Sequence, residues 1–234
     1  MAFETLTRVL SPYQFNPLNW HPLRDILSQS IDFGALAVSY QIKLFVSATN
    51  VRSGKIRVFH HNELNAEVLL ASACLPFLFQ AVEIDGEAYW DGGYMGNPAI
   101  YPLIYNCASP DVAIVQINPL VRDKVPKTAP EILDRVNEIS FNSTLMREMR
   151  SIAFVTRLIE QKALDPGRYK KMYIHLIQAE AEMGDFGADS KLEASHGFLR
   201  RLRDIGRRAA EDWLEAHYAD IGVASSIDIE ERFL

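Results

Sequence analysis

Apolar and polar positions alternate with two periods along this chain, and the change of period marks its elements. Between Gln41 and Asn50, the residues Ile42, Leu44, Phe45, Val46 and Ala48 form a nearly continuous apolar run, as expected of a strand covered on both faces. Ser53-Gly54 predicts a turn and Ile56–Phe59 a returning strand that ends at His60-His61. An apolar helix is predicted from about Ala66 to Cys74, stopped by Pro76, which has no N–H to donate. Ala81–Ile84 and Glu87–Trp90 read as two short strands around Asp85-Gly86, the strongest kind of short-range hairpin signal. The second of these strands delivers Asp91 at its end.

The flanks follow the same logic. Residues 2–10 can form a short helix, with Phe3, Leu6, Val9 and Leu10 on one side. Ser11–Trp20 reads as a loop, His21-Pro22 as the start of a helix, and Asp32 as the cap of another helical turn. Pro98–Tyr105 is predicted helical, Val112–Ile117 a buried strand, and Arg122–Thr128 a polar loop. From Pro130 to Lys162 apolar residues recur at threes and fours, which predicts helix, and the length of the stretch suggests two helices or one kinked helix, ended by Asp165-Pro166-Gly167. Met172–Ile177 is the last predicted strand, Ala179–Ser190 a loop, and Lys191–His217 a helix with Phe198, Leu202, Ile205, Ala209 and Trp213 as its apolar stripe.

Composition bounds the reading. The chain has 234 residues, 48% of them hydrophobic, enough for a sizeable core in one domain. The net charge of −6 argues against a general nucleic-acid binder. Cys74 and Cys107 are the only cysteines and read as small buried residues, consistent with a reducing cytoplasm. No signal peptide and no run of about 20 apolar residues is visible. The final helix carries Arg200, Arg201, Arg203, Arg207 and Arg208, which read as a solvated face paired with Asp204, Glu211 and Asp212, or else as a surface drawn to anionic lipid. His60-His61 invites a metal reading, but no acidic or cysteine partner stands at ligand spacing; no metal and no cofactor is expected.

The candidate chemistry centres on Asp91-Gly92-Gly93. Taken alone the tripeptide is a surface turn. Here two apolar strands feed the aspartate, and Tyr89, Trp90, Tyr94 and Met95 flank it. Two glycines remove the Cβ groups that would crowd whatever faces the carboxylate.

Ala71-Ser72-Ala73-Cys74-Leu75-Pro76, then a hairpin, then Asp91-Gly92-Gly93, resembles the second half of a patatin-like phospholipase domain. Thr49-Asn50-Val51-Arg52-Ser53-Gly54 resembles that family's strand and turn before the helix, and the similarity extends as far as the Phe141-Asn142-Ser143 helix. The resemblance implies an α/β, three-layer patatin-like fold with a mostly parallel central sheet. It also implies that Asp91 is the proton acceptor, working directly on a serine in a two-residue dyad. The substrate implied is a lipid acyl ester, with peripheral contact at a membrane.

The family's nucleophile sits in a G-x-S-x-G elbow and its oxyanion hole in a glycine-rich loop. No serine here has glycines two residues away on both sides, and the first 33 residues contain no glycine. The expectation is therefore an N-terminally truncated domain beginning after the elbow, spanning 1–234 with a C-terminal helical segment over about 129–234. Such a chain is expected to be inactive alone and poorly soluble or oligomeric. Ser72 lies inside the predicted helix without a strand-to-helix elbow, so packing is its expected role. A histidine base is the rival to Asp91. A non-catalytic lipid-binding or interaction protein is the alternative function, and an acyl hydrolase of soluble esters or a storage polyester a third.

Overall fold

The computed structural model describes residues 10–39, 41–165, 167–184, 186, 190 and 193–234. The helix expected over residues 2–10 lies almost wholly outside them. The chain divides into two compact units, Met1–Pro102 and Leu103–Leu234.

The first unit opens with three short helices, α1 (Pro12–Phe15), α2 (Pro22–Ser30) and α3 (Phe33–Ala37). Pro22 takes the first helical position of α2, and the Asp32 carboxylate caps α3 by accepting from the Ala35 N–H at 2.9 Å. Strands β1 (Phe45–Asn50), β2 (Ile56–His60), β3 (Val82–Ile84) and β4 (Glu87–Asp91) form one sheet in the order β2-β1-β4-β3. Helix α4 (Ala66–Ser72) lies between β2 and β3 in sequence; Asn65 caps it through the Val68 N–H. Asp85 and Gly86 both take positive φ (53° and 76°), the geometry a two-residue hairpin demands. Ala48, Phe59, Val68, Leu70, Ala71, Cys74 and Tyr89 form the buried core between sheet and helix.

The α/β class holds, but every pairing in this sheet is antiparallel. Parallel pairing occurs in the second unit, where β5 (Asp111–Gln116) lies beside β6 (Tyr173–Gln178). The mostly parallel sheet expected is thus confined to one pair of strands among the described residues. β1 is shorter than predicted, starting where β2 begins to pair with it at Phe45↔His60 and leaving Ile42 exposed. β5 is covered on one face only: Val112 and Ile114 are buried while Ala113 and Val115 face out.

The chain passes from one unit to the next within α5 (Tyr101–Asn106). The region expected to hold two helices or a kinked one is a single 32-residue helix, α6 (Ala129–Glu160). Thr128 and Glu131 start it with a capping box. After β6 come α7 (Glu180–Met183), within the predicted loop, then α8 (His196–His217) and α9 (Ile229–Phe233). The core here is Leu145, Met149 and Ile152 of α6, Ile174 and Leu176 of β6, Ile205 and Trp213 of α8, and Phe233 of α9.

A cluster of ion pairs fixes the loop after β5. Arg122 and Arg135 both reach Glu138, and Arg135 also donates to the Leu120 carbonyl at 3.0 Å. Glu180 accepts from the Leu120 and Val121 N–H groups and pairs with Arg232 of α9. Burial pushes Glu138 and Glu180 up, but the hydrogen bonds from these arginines outweigh it and hold both below the usual carboxylate range.

Candidate active site

Asp91 stands at the last position of β4, opposite Ala48 of β1. Its backbone is fixed from two sides: its N–H donates to the Cys74 carbonyl at 2.9 Å, and its carbonyl accepts from Thr49 Oγ1 at 2.8 Å. The chain then tightens into a single 3₁₀ turn, Gly92–Tyr94, which Asp91 caps: Oδ1 accepts from the Gly93 N–H at 2.7 Å. The main chain of Asp91 is therefore held by Cys74 and Thr49, its carboxylate accepts from the Gly93 N–H, and the residue is half-buried.

Gly92 is required by space. A Cβ there would stand 2.1 Å from the Ser47 carbonyl oxygen and 2.5 Å from Ser47 Oγ. Backbone cannot yield to that overlap, so the close approach of the Asp91 turn to β1 exists only with glycine. Gly96 is also crowded, a Cβ there falling 2.5 Å from Ile56 Cδ1, the end of a flexible side chain, and 2.9 Å from Ala99 Cβ.

The surroundings are apolar and partly closed. Tyr89 is buried with its ring edge-on to Phe59, and its hydroxyl accepts from Arg57 at 3.3 Å. Burial, with a smaller contribution from the Asp91 charge, pushes the Cys74 thiol up to about 11, so it stays protonated; it donates to the Gln80 carbonyl at 3.2 Å. Partial burial and then the Asp91 charge push the Tyr94 hydroxyl up as well. The predicted site residues Asp91, Gly92 and Gly93 thus come together in one turn. Thr49 and Cys74, which help to hold that turn, lie in the segments that carry the resemblance, while Ser47 beneath it carried no separate signal in the sequence.

The histidines are placed elsewhere. His21 is buried and stacked on Phe79 at 4.2 Å, and His60 packs edge-on to Phe45. Two His–Asp pairs do form, His175 Nε2 with Asp111 Oδ1 at 3.0 Å and His217 Nδ1 with Asp220 Oδ2 at 2.9 Å, both in the second unit. His175 is 1% exposed beneath Trp213, so no ester reaches it. Ser72 ends α4 and has no elbow geometry. Among the described residues no group of three or more His, Cys, Asp or Glu side chains could hold a metal ion, and no described helix is long and apolar enough to cross a membrane.

Residues 2–104 match the family model described as patatin-like phospholipase. This segment is patatin-like. It contains the whole four-stranded sheet, Asp91 and the glycines after it; the Phe141-Asn142-Ser143 helix lies beyond the matched residues. No curated protein matches the chain. The family places the patatin-like segment among lipid acyl hydrolases and implies lipid substrates in that general sense.

Proposed function

We propose that Asp91 is the proton acceptor of a lipid acyl hydrolase of the Ser-Asp dyad type, and that this chain supplies the aspartate side of that site. Ester cleavage needs a nucleophile, a base for its proton and donors for the developing oxyanion. Asp91 suits the second role. The observation that carries the reading is the support of its turn: backbone bonds from Cys74 and Thr49, the Gly93 N–H on Oδ1, and a glycine where the Ser47 carbonyl leaves no room for Cβ. A carboxylate fixed this way keeps one orientation through a reaction. The nucleophile and the oxyanion donors belong to a G-x-S-x-G elbow and a glycine-rich loop that this sequence does not contain, so the chain alone has no turnover. In this reading the second unit is the C-terminal part of the same domain, and the protein works in the cytoplasm, peripheral to a lipid surface.

The test joins the chain to an upstream segment bearing the loop and elbow and follows p-nitrophenol release from a long acyl ester. Asp91→Asn keeps size but cannot accept a proton; turnover should fall by ~10²-fold or more with folding intact. Asp85→Asn is the control: Asp85 sits at the far end of β4's hairpin with its side chain 77% exposed, and its loss should leave turnover nearly unchanged. Near-wild-type turnover in folded Asp91→Asn would remove the base from the reading. The second reading, a non-catalytic lipid-binding protein on the same fold, is favoured by the missing elbow motif; it predicts no turnover in the joined protein and lipid binding without it.

A further inference from the structure

Two proline turns stand side by side in the patatin-like segment. In the first, Asn16-Pro17-Leu18-Asn19, the Asn19 N–H donates to the Asn16 carbonyl at 3.0 Å, which puts Leu18 at the tip. In the second, Leu75-Pro76-Phe77-Leu78, the Leu78 N–H donates to the Leu75 carbonyl at 3.0 Å and Phe77 takes the same place. Turn tips ordinarily hold Gly, Asn, Asp or Ser. Here they hold a leucine 91% exposed and a phenylalanine 71% exposed, with Trp20, 70% exposed, beside the first.

The two turns are tied together. Gln80 Nε2 donates to the Asn16 carbonyl at 2.7 Å, the Ala81 N–H donates to the Tyr13 hydroxyl at 3.3 Å, and His21 stacks on Phe79. The second turn follows directly from Cys74, whose carbonyl holds the Asp91 N–H, so this face is continuous with the candidate site. Neither segment carries a charge: there is no Asp, Glu, Lys or Arg from Leu10 to Leu23, nor from Val68 to Val82.

We propose that Leu18, Trp20 and Phe77 form a docking face that inserts into an uncharged lipid layer and sets the Asp91 site against it. A protein interface of this kind would carry a polar, charged rim and bury its anchors in pockets. Protruding apolar tips with tryptophan beside them, in two uncharged segments flanked by the Arg24–Glu67 pair at 2.7 Å, match the boundary of headgroups and acyl chains. Charge complementarity selects neutral over anionic lipid, since no cation in either segment would meet an anionic headgroup. The proposal rests on the lipid reading above, but it is measured without turnover. Failure of the Asp91→Asn test therefore leaves it standing, and its own failure leaves the base assignment standing.

The experiment is flotation of the full chain with phosphatidylcholine vesicles, joined to tryptophan emission. Trp20 is the exposed one of three tryptophans, Trp90 being half-buried and Trp213 buried. Wild type should float, its emission should shift to the blue, and brominated lipid should quench it. The pair Leu18→Ser and Phe77→Ser should lower partitioning at least about tenfold, the size expected for removing two inserted apolar side chains. Trp20→Phe should keep partitioning and lose the emission change, and circular dichroism should show both variants folded. High salt and added phosphatidylserine should change little. Partitioning unchanged in the double variant overturns the proposal. So does binding that requires phosphatidylserine, which would assign the contact to the α8 arginines. A chain that ignores vesicles but forms a dimer abolished by the double substitution overturns it too and makes the face a contact between copies.

Discussion

In the four-stranded sheet, β1 passes to β2 through residues 51–55 and β3 to β4 through residues 85–86. In the two-stranded sheet, β5 and β6 are parallel and separated by residues 117–172, with α6 between them. The two hairpins of the first sheet therefore take their register from local turns, each written in a few residues. The β1–β4 pairing that joins them brings together residues far apart in sequence, Ala48 opposite Asp91. The second sheet must close a long loop before any strand contact forms, and its register rests on groups distant in sequence. Those groups are visible. Asp111 at the start of β5 binds His175 of β6 and the Gly222 N–H, the first of which holds its carboxyl below the usual range. Ser225 and Ser226 put their hydroxyls on the outer edge of β6, accepting from the Ile174 and Leu176 N–H groups. Glu138 and Glu180 in the second unit are engaged by arginines that hold the fold together, whereas Oδ1 of Asp91 accepts from the Gly93 N–H of its own turn.

The sharpest way to break this contrast is Gly92→Ala. A methyl group there meets Ser47 backbone, so the local turn and β1 cannot both keep their places, and the patatin-like segment should lose about 3 kcal/mol or more. Gly54→Ala has open space and only a positive φ of 66° to oppose it, so it should lose about 1 kcal/mol. Equal losses in urea melts would mean that close approach does not set the site. Next in size, Glu138→Gln leaves Arg122 and Arg135 without their carboxylate and should lower the stability of the second unit by about 2 kcal/mol. If it does not, the cluster is ornament and packing alone fixes the long crossover. Ser226→Ala removes the acceptor for the Leu176 N–H and for Trp213 Nε1, with an expected loss of about 1 kcal/mol.

Acid separates the units by pH. Burial, and then the Arg24 charge, hold His21 below the ordinary imidazole value, and its buried Nδ1 has no hydrogen-bond partner among the described residues. The unfolded chain binds this proton more readily, so the stability it contributes is full above about pH 6.5 and is lost as pH falls toward the folded value. Glu138, Glu180 and Asp111 are also depressed, so their contribution is full above the unfolded carboxylate range near about 4 and goes as pH falls through the folded values. Hydrogen exchange between pH 7 and 5 should loosen the segment around α2 first, and His21→Phe should abolish that early step. Simultaneous loosening of both units, beginning only near pH 4, would show that His21 does not couple to the fold.

What could be read from the residues follows the same division. The Asp85-Gly86 hairpin, the Pro22 and Asp32 helix starts and the α4–Pro76 stop were legible because each depends on a few neighbours. Asp91-Gly92-Gly93 was legible as a motif, but the reason for Gly92 was not, since Ser47 lies forty-five positions away by the numbering and touches it only through strand pairing. The α/β class was legible from the resemblance, but the direction of the strands in the larger sheet was not: an apolar run such as Phe45–Ala48 does not distinguish parallel from antiparallel neighbours. The unbroken α6 was ambiguous because Ser140, Ser143 and Ser151 weaken a helix on propensity; each instead bonds a carbonyl three or four residues back.

One helix has mechanical meaning. At 1.5 Å per residue α6 is a rod about 48 Å long, while six-residue strands such as β5 and β6 extend only about 20 Å. Its buried residues run from Asn142 to Ala153, and Ile132, Leu133, Val136 and Ile139 near its start are exposed. The rod is thus packed along its later half and largely exposed along its first, where Glu138 and Arg135 tie it to Arg122 and to the Leu120 carbonyl. Ala129 stands ~14 Å along the helix from Glu138, so a displacement of that end bears on the Arg122–Glu138 pair and through it on the loop after β5.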